Sequence, residues 1–203
     1  VTAERAGKDA CLFFPSGTQS NLAALMSHCG RGDEVILGQR AHTYRYEAGG
    51  AAVLGSIQPQ PIENEPDGAI ALDKIAAEIK ADDAHFARTR LLALENTIGG
   101  KVLPRAYVAQ AAALARARGL SLHLDGARAW NAAVADGVAV ADVCAPFDTV
   151  SLCFSKGLGA PVGSVLVGPI DLIERAKRAR KMLGGGMRQA GVLAAACLYA
   201  LDH

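Results

Sequence analysis

Ser121-Leu122-His123-Leu124-Asp125-Gly126-Ala127-Arg128 stands between two helical patterns, and its reading decides the fold. Ser121–Asp125 is a short, largely aliphatic run between the two helical patterns, which predicts a buried strand. Upstream, Tyr107–Arg118 repeats its apolar residues at helical spacing, with Gly119 placed to stop it. Downstream, Ala129–Ala135 reads as a second helix ended by Gly137. A strand entered from one helix and left into another belongs to a crossover-linked, largely parallel sheet. Working outward, the same alternation continues in both directions. Further strands are expected at Ala10–Phe14, Glu34–Leu37, Arg90–Glu95, Thr149–Phe154 and Ser164–Val167. Further helices are expected at Gln19–Cys29, Leu72–Lys80, Ile170–Leu183 and Met187–Leu201, with Gly30 at the end of the first. The expected architecture is α/β, a mostly parallel sheet sandwiched by helices in one domain.

Composition narrows the function classes. In 203 residues, 51% are apolar, 20% are charged and the net charge is +1. Positive and negative side chains are intermixed, so no basic surface invites nucleic acid or an anionic membrane. The Arg175–Lys181 cluster alternates with Glu174, Ala176 and Ala179 and reads as a solvated helix face. Ala190–Leu201, the longest apolar stretch, is too short to span a bilayer. The charged opening Val1–Ala10 does not have the apolar stretch of a secretory leader. Five scattered cysteines form no C-x-x-C pair. They fit small buried hydrophobes in a reducing cytoplasm better than a disulfide framework or a metal site.

Four features fall at strand ends, where open α/β sheets place their ligands. In Pro15-Ser16-Gly17-Thr18-Gln19-Ser20-Asn21, Gly17 is expected to expose backbone amides and Thr18 to cap the helix with its hydroxyl. Such a turn holds a phosphate against the helix dipole, or is simply a helix cap. Asp125 ends a buried strand and needs a partner to offset its desolvation; a protonated pyridine nitrogen would serve. Arg128, one turn on, suits a substrate carboxylate, although an Asp125–Arg128 ion pair at a helix start is the plainer reading. Lys156, in Ser155-Lys156-Gly157-Leu158-Gly159, follows an apolar strand, where an amine loses its proton more easily and attacks an aldehyde. His42 opens a helical segment after the second strand and is able to lie flat on an aromatic ring. His85, in His85-Phe86-Ala87-Arg88-Thr89, is an equally open candidate.

Taken together, these segments resemble the aspartate-aminotransferase-type (fold type I) pyridoxal-phosphate enzymes, and within them the low-specificity L-threonine aldolases. The resemblance rests on Glu47-Ala48-Gly49-Gly50-Ala51-Ala52-Val53-Leu54, His123–Arg128, Ser155–Ser164 and Arg180–Gln189, in that order, and it spans nearly the whole chain. It implies the PLP-dependent transferase-like large domain over residues 1–203. It also implies that the family's N-terminal segment and C-terminal small domain lie outside this sequence. Residue by residue, it makes Lys156 the Schiff-base lysine of pyridoxal 5'-phosphate, Asp125 the partner of the pyridine nitrogen and His42 the ring-stacking histidine. Ser16, Gly17 and Thr18 become the phosphate loop, Arg128 the carboxylate grip, and His85 a histidine near the substrate hydroxyl. Arg188 and Lys181 become basic residues reaching a site across a subunit interface, in a homo-oligomer built as a dimer of dimers with shared sites.

The activity implied is retro-aldol cleavage of L-threonine, L-allo-threonine and related β-hydroxy-α-amino acids to glycine and an aldehyde. His85, His42 or a water held by them stands as the base that takes the β-hydroxyl proton. One departure is local: after Glu95-Asn96-Thr97 the family carries a His-Asn pair, whereas this chain reads Ile98-Gly99. Another fold type I lyase or a hydroxymethyltransferase shares the aspartate and the lysine, and a non-catalytic cofactor-binding domain would keep them too. A nucleotide-binding α/β protein is disfavoured, because neither G-x-G-x-x-G nor a P-loop lysine pattern occurs near Gly17.

Overall fold

The computed structural model describes all 203 residues. Seven strands form one sheet: β1 (Ala10–Phe14), β2 (Asp33–Gly38), β3 (Gln58–Ile62), β4 (Arg88–Glu95), β5 (Ser121–Gly126), β6 (Thr149–Cys153) and β7 (Ser164–Gly168). Their spatial order is β1-β7-β6-β5-β4-β2-β3. Only β7 runs against its neighbours, pairing antiparallel with both β1 and β6. The helices are α1 (Thr2–Arg5), α2 (Gly17–His28), α3 (His42–Arg45), α4 (Gly50–Val53), α5 (Leu72–Glu78) and α6 (Arg105–Ala117). They continue with α7 (Ala129–Asp136), α8 (Val140–Cys144), α9 (Ile170–Met182) and α10 (Gly191–Asp202). No helix is long and apolar enough to cross a membrane. The α/β reading holds, with a mixed but mostly parallel sheet.

The two faces of the sheet differ in chemistry, and the difference positions the site. Leu122 and Leu124 of β5, Val150 and Leu152 of β6 and Leu92 of β4 point to one face, where they join Ala111, Ala115, Ala129 and Cys144 in the largest apolar cluster. The alternate residues point the other way. There, Phe14 and Leu166 pack on Ala23 and Ala24 of α2 and on Ile173, Ala176 and Ala179 of α9. Val35, Leu37, Leu91 and Ala93 pack on Leu25 of the same α2. Between these two apolar patches the middle of the α2 face is polar: His123, Asp125, Thr149, Ser151 and Ser164 are all buried. Parallel register aligns them in rows, His123 beside Thr149 and Glu95 beside Asp125 beside Ser151.

Several elements depart from the sequence reading, among them the short helices α4 and α8, which it does not include. β3 is unannounced because Gln58-Pro59-Gln60-Pro61-Ile62 carries two prolines; its place at the sheet edge tolerates their missing amides. The last helix starts at Gly191 rather than Met187, since Gln189 adopts a left-handed φ of 51° that no helix can contain. Gly119 and Gly137 do terminate their helices, at φ 68° and 65°. Gly30 does not take that form; its amide instead donates to the Asp33 carboxylate at 2.8 Å.

Candidate active site

The carboxyl ends of β1, β2, β4, β5 and β6 open into one cavity of about 280 Å³. Ser16, Gly17, Thr18, His42, Asp125, Arg128 and Lys156 all line it, with Asn21, Glu95 and Cys153. At one end lies the start of α2, a 12-residue helix whose first amides have no intrahelical acceptor. The helix cap is Ser16, whose Oγ accepts the Gln19 amide at 3.2 Å. That corrects the assignment of the cap to Thr18, which sits inside the first turn together with Gly17. Gly17 has no left-handed φ; a Cβ there would instead lie 3.1 Å from Cys153 Sγ.

Lys156 occupies the loop that follows β6. Both Phe154 and Ser155 amides donate to the Gly163 carbonyl, at 3.0 and 3.4 Å, and the Gly159 amide donates to the Lys156 carbonyl at 2.9 Å. Gly163, at φ 114°, is pressed against Phe13: a Cβ would come within 2.6 Å of the ring, so this return turn accepts only glycine. The loop presents Lys156 as an exposed residue rather than the desolvated amine that a strand end suggests, because the cavity mouth is open to water there.

Asp125 is 3% exposed. Its oxygens accept from Asn21 Nδ2 at 2.9 Å and from the Ala127 amide at 3.1 Å, both neutral donors. The plainer Asp125–Arg128 ion pair does not form; Arg128 projects from the next turn as an exposed side chain on the cavity wall. Burial pushes the Asp125 carboxyl above its ordinary range, against the lowering effects of the Ala127 amide, His42, Asn21 and Lys156. Two further acids share this pocket of charge. Burial raises Glu47 to about 7, offset in part by hydrogen bonds from Asn21 and His42 and reinforced by the nearby Asp125. Burial and Asp125 raise Glu95 to about 7 as well. A buried carboxylate with neutral donors and no cation is a costly arrangement. The donor set therefore fits a protonated heteroaromatic nitrogen entering from the cavity.

His42 is fixed from two sides. Its amide donates to Glu95 Oε2 at 2.7 Å, and its Nδ1 lies 3.0 Å from Glu47 Oε1. Glu47 Oε1 also accepts from Asn21 Nδ2 at 2.9 Å. His42, Glu47 and Asp125 approach within 4.8 Å of one another, but the space between the two carboxylates is taken by the Asn21 amide, a donor rather than a cation.

Behind Asn21 runs a buried chain. Asn21 Oδ1 meets His123 Nε2 at 3.2 Å, His123 Nδ1 meets Thr149 Oγ1 at 2.9 Å, and Thr149 Oγ1 meets His28 Nε2 at 2.8 Å. Burial holds both imidazoles neutral, lowering His123 to about 3 and His28 to about 4. Both Asn21 Nδ2 protons go to carboxylates, so Oδ1 must accept, and His123 carries its proton on Nε2. Thr149 then donates to the bare His123 Nδ1 and accepts from His28 Nε2. Every proton in the chain points toward Asp125 and Glu47.

The remaining candidate residues lie elsewhere. His85 is 87% exposed and bonds only its neighbour Asp83, at 2.6 Å. It precedes β4, whereas Glu95 ends β4, and eight strand residues separate the two by about 25 Å. His85 therefore does not line this chain's own cavity, and His42 is the histidine that does. Lys181 and Arg188 are exposed and do not line the cavity either. Asn21, Glu47 and Glu95 are the functional side chains not singled out from sequence. Asn21 was signalled only by a polar Ser20-Asn21 pair before the apolar run Leu22–Met26, and Glu95 by its place at the end of an apolar strand.

Known proteins resemble this chain along almost its whole length. The chain is 61% identical over 201 residues to the low specificity L-threonine aldolase of Escherichia coli K12, covering 99% of this chain and 60% of that protein. It is 48% identical over 207 residues to the low-specificity L-threonine aldolase 1 of Arabidopsis thaliana, covering 99% of this chain and 58% of that one. The chain thus spans about 60% or less of the length of these relatives. The solved Leishmania major threonine aldolase superposes with a TM-score of 0.82 at 24% identity, over 95% of this chain and 56% of that one, a likeness of fold. The β-eliminating lyase family pattern matches residues 1–203 from end to end, and the chain belongs to that family.

Proposed function

We propose that residues 1–203 form the cofactor-binding large domain of a pyridoxal-phosphate-dependent aldehyde-lyase. Its substrates are L-threonine, L-allo-threonine and related β-hydroxy-α-amino acids, cleaved to glycine and an aldehyde. The observation that carries the reading is that Lys156 and the buried Asp125 line one cavity, with the α2 N-terminus and Arg128 on the same walls. The names of the similar aldolases support the substrate class.

In this proposal Lys156 holds the cofactor aldehyde covalently, and the α2 amides with Ser16 Oγ hold its phosphate. When bound, the cofactor supplies an electron sink for bonds to the substrate Cα. Asp125 keeps the proton on the ring nitrogen, as a buried carboxylate close to a cation does. Arg128 orients the substrate carboxylate. With Glu47 ionised, His42 donates Nδ1–H to it, which leaves Nε2 free to take the β-hydroxyl proton directly or through a water. Lys181 and Arg188 serve a neighbouring copy in a homo-oligomer with shared sites, consistent with their absence from this chain's own cavity. A reducing cytoplasm suits five free cysteines, four of them buried.

Reconstitution with pyridoxal phosphate, borohydride reduction and peptide mass mapping test the reading. The reduced adduct is expected on Lys156, with acetaldehyde released from L-allo-threonine by the unreduced protein. An adduct confined to other lysines would overturn the assignment.

A further inference from the structure

A second cavity, of about 360 Å³, opens beside the first, and His42, Glu95 and Arg128 stand in the walls of both. The rest of its lining is strongly basic: Arg40, Arg45 and Lys101 join Arg128. None of these four cations lies within ion-pair distance of a carboxylate. The acids on neighbouring segments are engaged elsewhere. Glu65 pairs with Lys74 at 3.2 Å, Asp67 accepts the Ala69 amide at 2.9 Å, and Glu47 faces His42 and Asn21. Only Glu95 faces this space, and burial keeps its carboxyl protonated up to about pH 7.

Two of the cations have contacts of their own: the Arg45 guanidinium lies 5.7 Å over the Tyr46 ring, and Lys101 donates to the Pro66 carbonyl. Gly99 adds no side chain to the lining and so leaves the chamber wide. Positive walls without counter-charge favour an anion.

We infer that this second cavity is a subsite for an anionic group beyond Cβ, so that the preferred substrates are β-hydroxy-α-amino acids carrying a carboxylate on the β-substituent. The inference rests on the aldolase reading above. In that reaction the Cα–Cβ bond breaks, its electron pair remains at Cα and is protonated there, and the β-oxygen gives up its proton to become the aldehyde carbonyl. Arg128 holds the α-carboxylate, and Arg40, Arg45 and Lys101 hold the distal one.

The test compares β-(4-carboxyphenyl)serine with β-phenylserine, and calorimetric binding of L-glutamate with that of L-norvaline, which needs no cleavage. We expect kcat/KM for the carboxylated substrate to exceed that for the neutral one by about 10-fold at low salt, collapsing at high salt. L-Glutamate should bind correspondingly tighter. The double variant Arg40→Ala, Arg45→Ala should erase both preferences while leaving β-phenylserine cleavage within about twofold. Equal binding of the two amino acids, or a preference that survives in the double variant, overturns the subsite. A preference in binding with no cleavage of either serine would overturn the aldolase reading and leave the subsite standing.

Discussion

Asn21 Nδ2 stands 2.9 Å from Asp125 Oδ2 and 2.9 Å from Glu47 Oε1, a single amide joining the two acids that flank the candidate cofactor ring. Its carbonyl end is gripped by His123 at 3.2 Å, so its orientation is set by the chain behind it. Asn21 is thus a positioning residue for Asp125. Asn21→Ala removes one of the two donors to the Asp125 carboxylate and leaves a buried acceptor unmet, at about 1–3 kcal/mol. Cofactor affinity, followed by fluorescence titration, should fall by at least about 10-fold. An affinity within twofold of the original would show that Asp125 holds its place without Asn21.

The direction of the buried chain makes a prediction about His123 that a packing role alone would not. Its proton should sit on Nε2, with Nδ1 bare, throughout pH 5–9, because burial depresses its pKa to about 3. Nitrogen-15 NMR of the ring distinguishes the two tautomers directly. Detection of the Nδ1–H form, or titration within that range, would break the chain at its centre. His123→Phe keeps the volume but strands Asn21 Oδ1, and it should weaken cofactor binding in the same direction as Asn21→Ala.

How much of this was legible follows from what each signal depends on. The strand that ends in Asp125 and the strand that leads to Lys156 announce themselves through local apolar runs and glycines, so their ends were readable. β3 was not, because its prolines argue against any strand until its edge position is known. The polar face beneath α2 was hidden too. Leu122 and Leu124 point to the opposite face from His123 and Asp125, but a short run covered on both faces reads as uniformly buried. Only the packing of α2 shows that Asn21, a hundred residues away in sequence, is the partner. His85 rested on the resemblance alone; it stands ahead of β4, at the end of that strand away from Glu95, and outside this chain's own cavity.

The acid cluster sets the pH dependence of stability in the cofactor-free protein. Glu47 and Glu95 are raised from 4.5 to about 7 on folding, so between those values the folded chain binds more protons than the unfolded one. Stability is then greatest below about pH 4.5 as far as these two groups contribute, and it declines as pH rises toward 7. Below pH 6.5 the buried neutral His28 and His123 act in the opposite sense, because their unfolded imidazoles bind protons that the folded ones do not. The acid contribution is therefore read as the difference in Tm between the parent protein and Glu95→Gln, which should move in the parent's disfavour as pH rises from 5 to 7.5. A difference that stays constant across this window in cofactor-free protein would contradict the cluster's electrostatics.

Gly17 offers a test of why the phosphate end of the cavity is built as it is. Sequence alone suggests that glycine is needed there for an unusual backbone shape. The folded chain gives a different reason: residue 17 is ordinary helical backbone, and the space beside it is filled by Cys153 Sγ, which in turn lies 3.1 Å from Ser164 Oγ. Gly17→Ala therefore introduces overpacking rather than backbone strain. Helix propensity by itself favours alanine, so any loss of stability must come from the contact, at about 1–3 kcal/mol. If so, Cys153→Ala should relieve it, and the double variant should be more stable than the sum of the single effects by about 0.5–3 kcal/mol. Urea denaturation of the four proteins closes the cycle. Strict additivity would return the explanation to the backbone. A coupled pair would show that the first turn of α2 is seated by the end of β6, the strand that leads directly to Lys156.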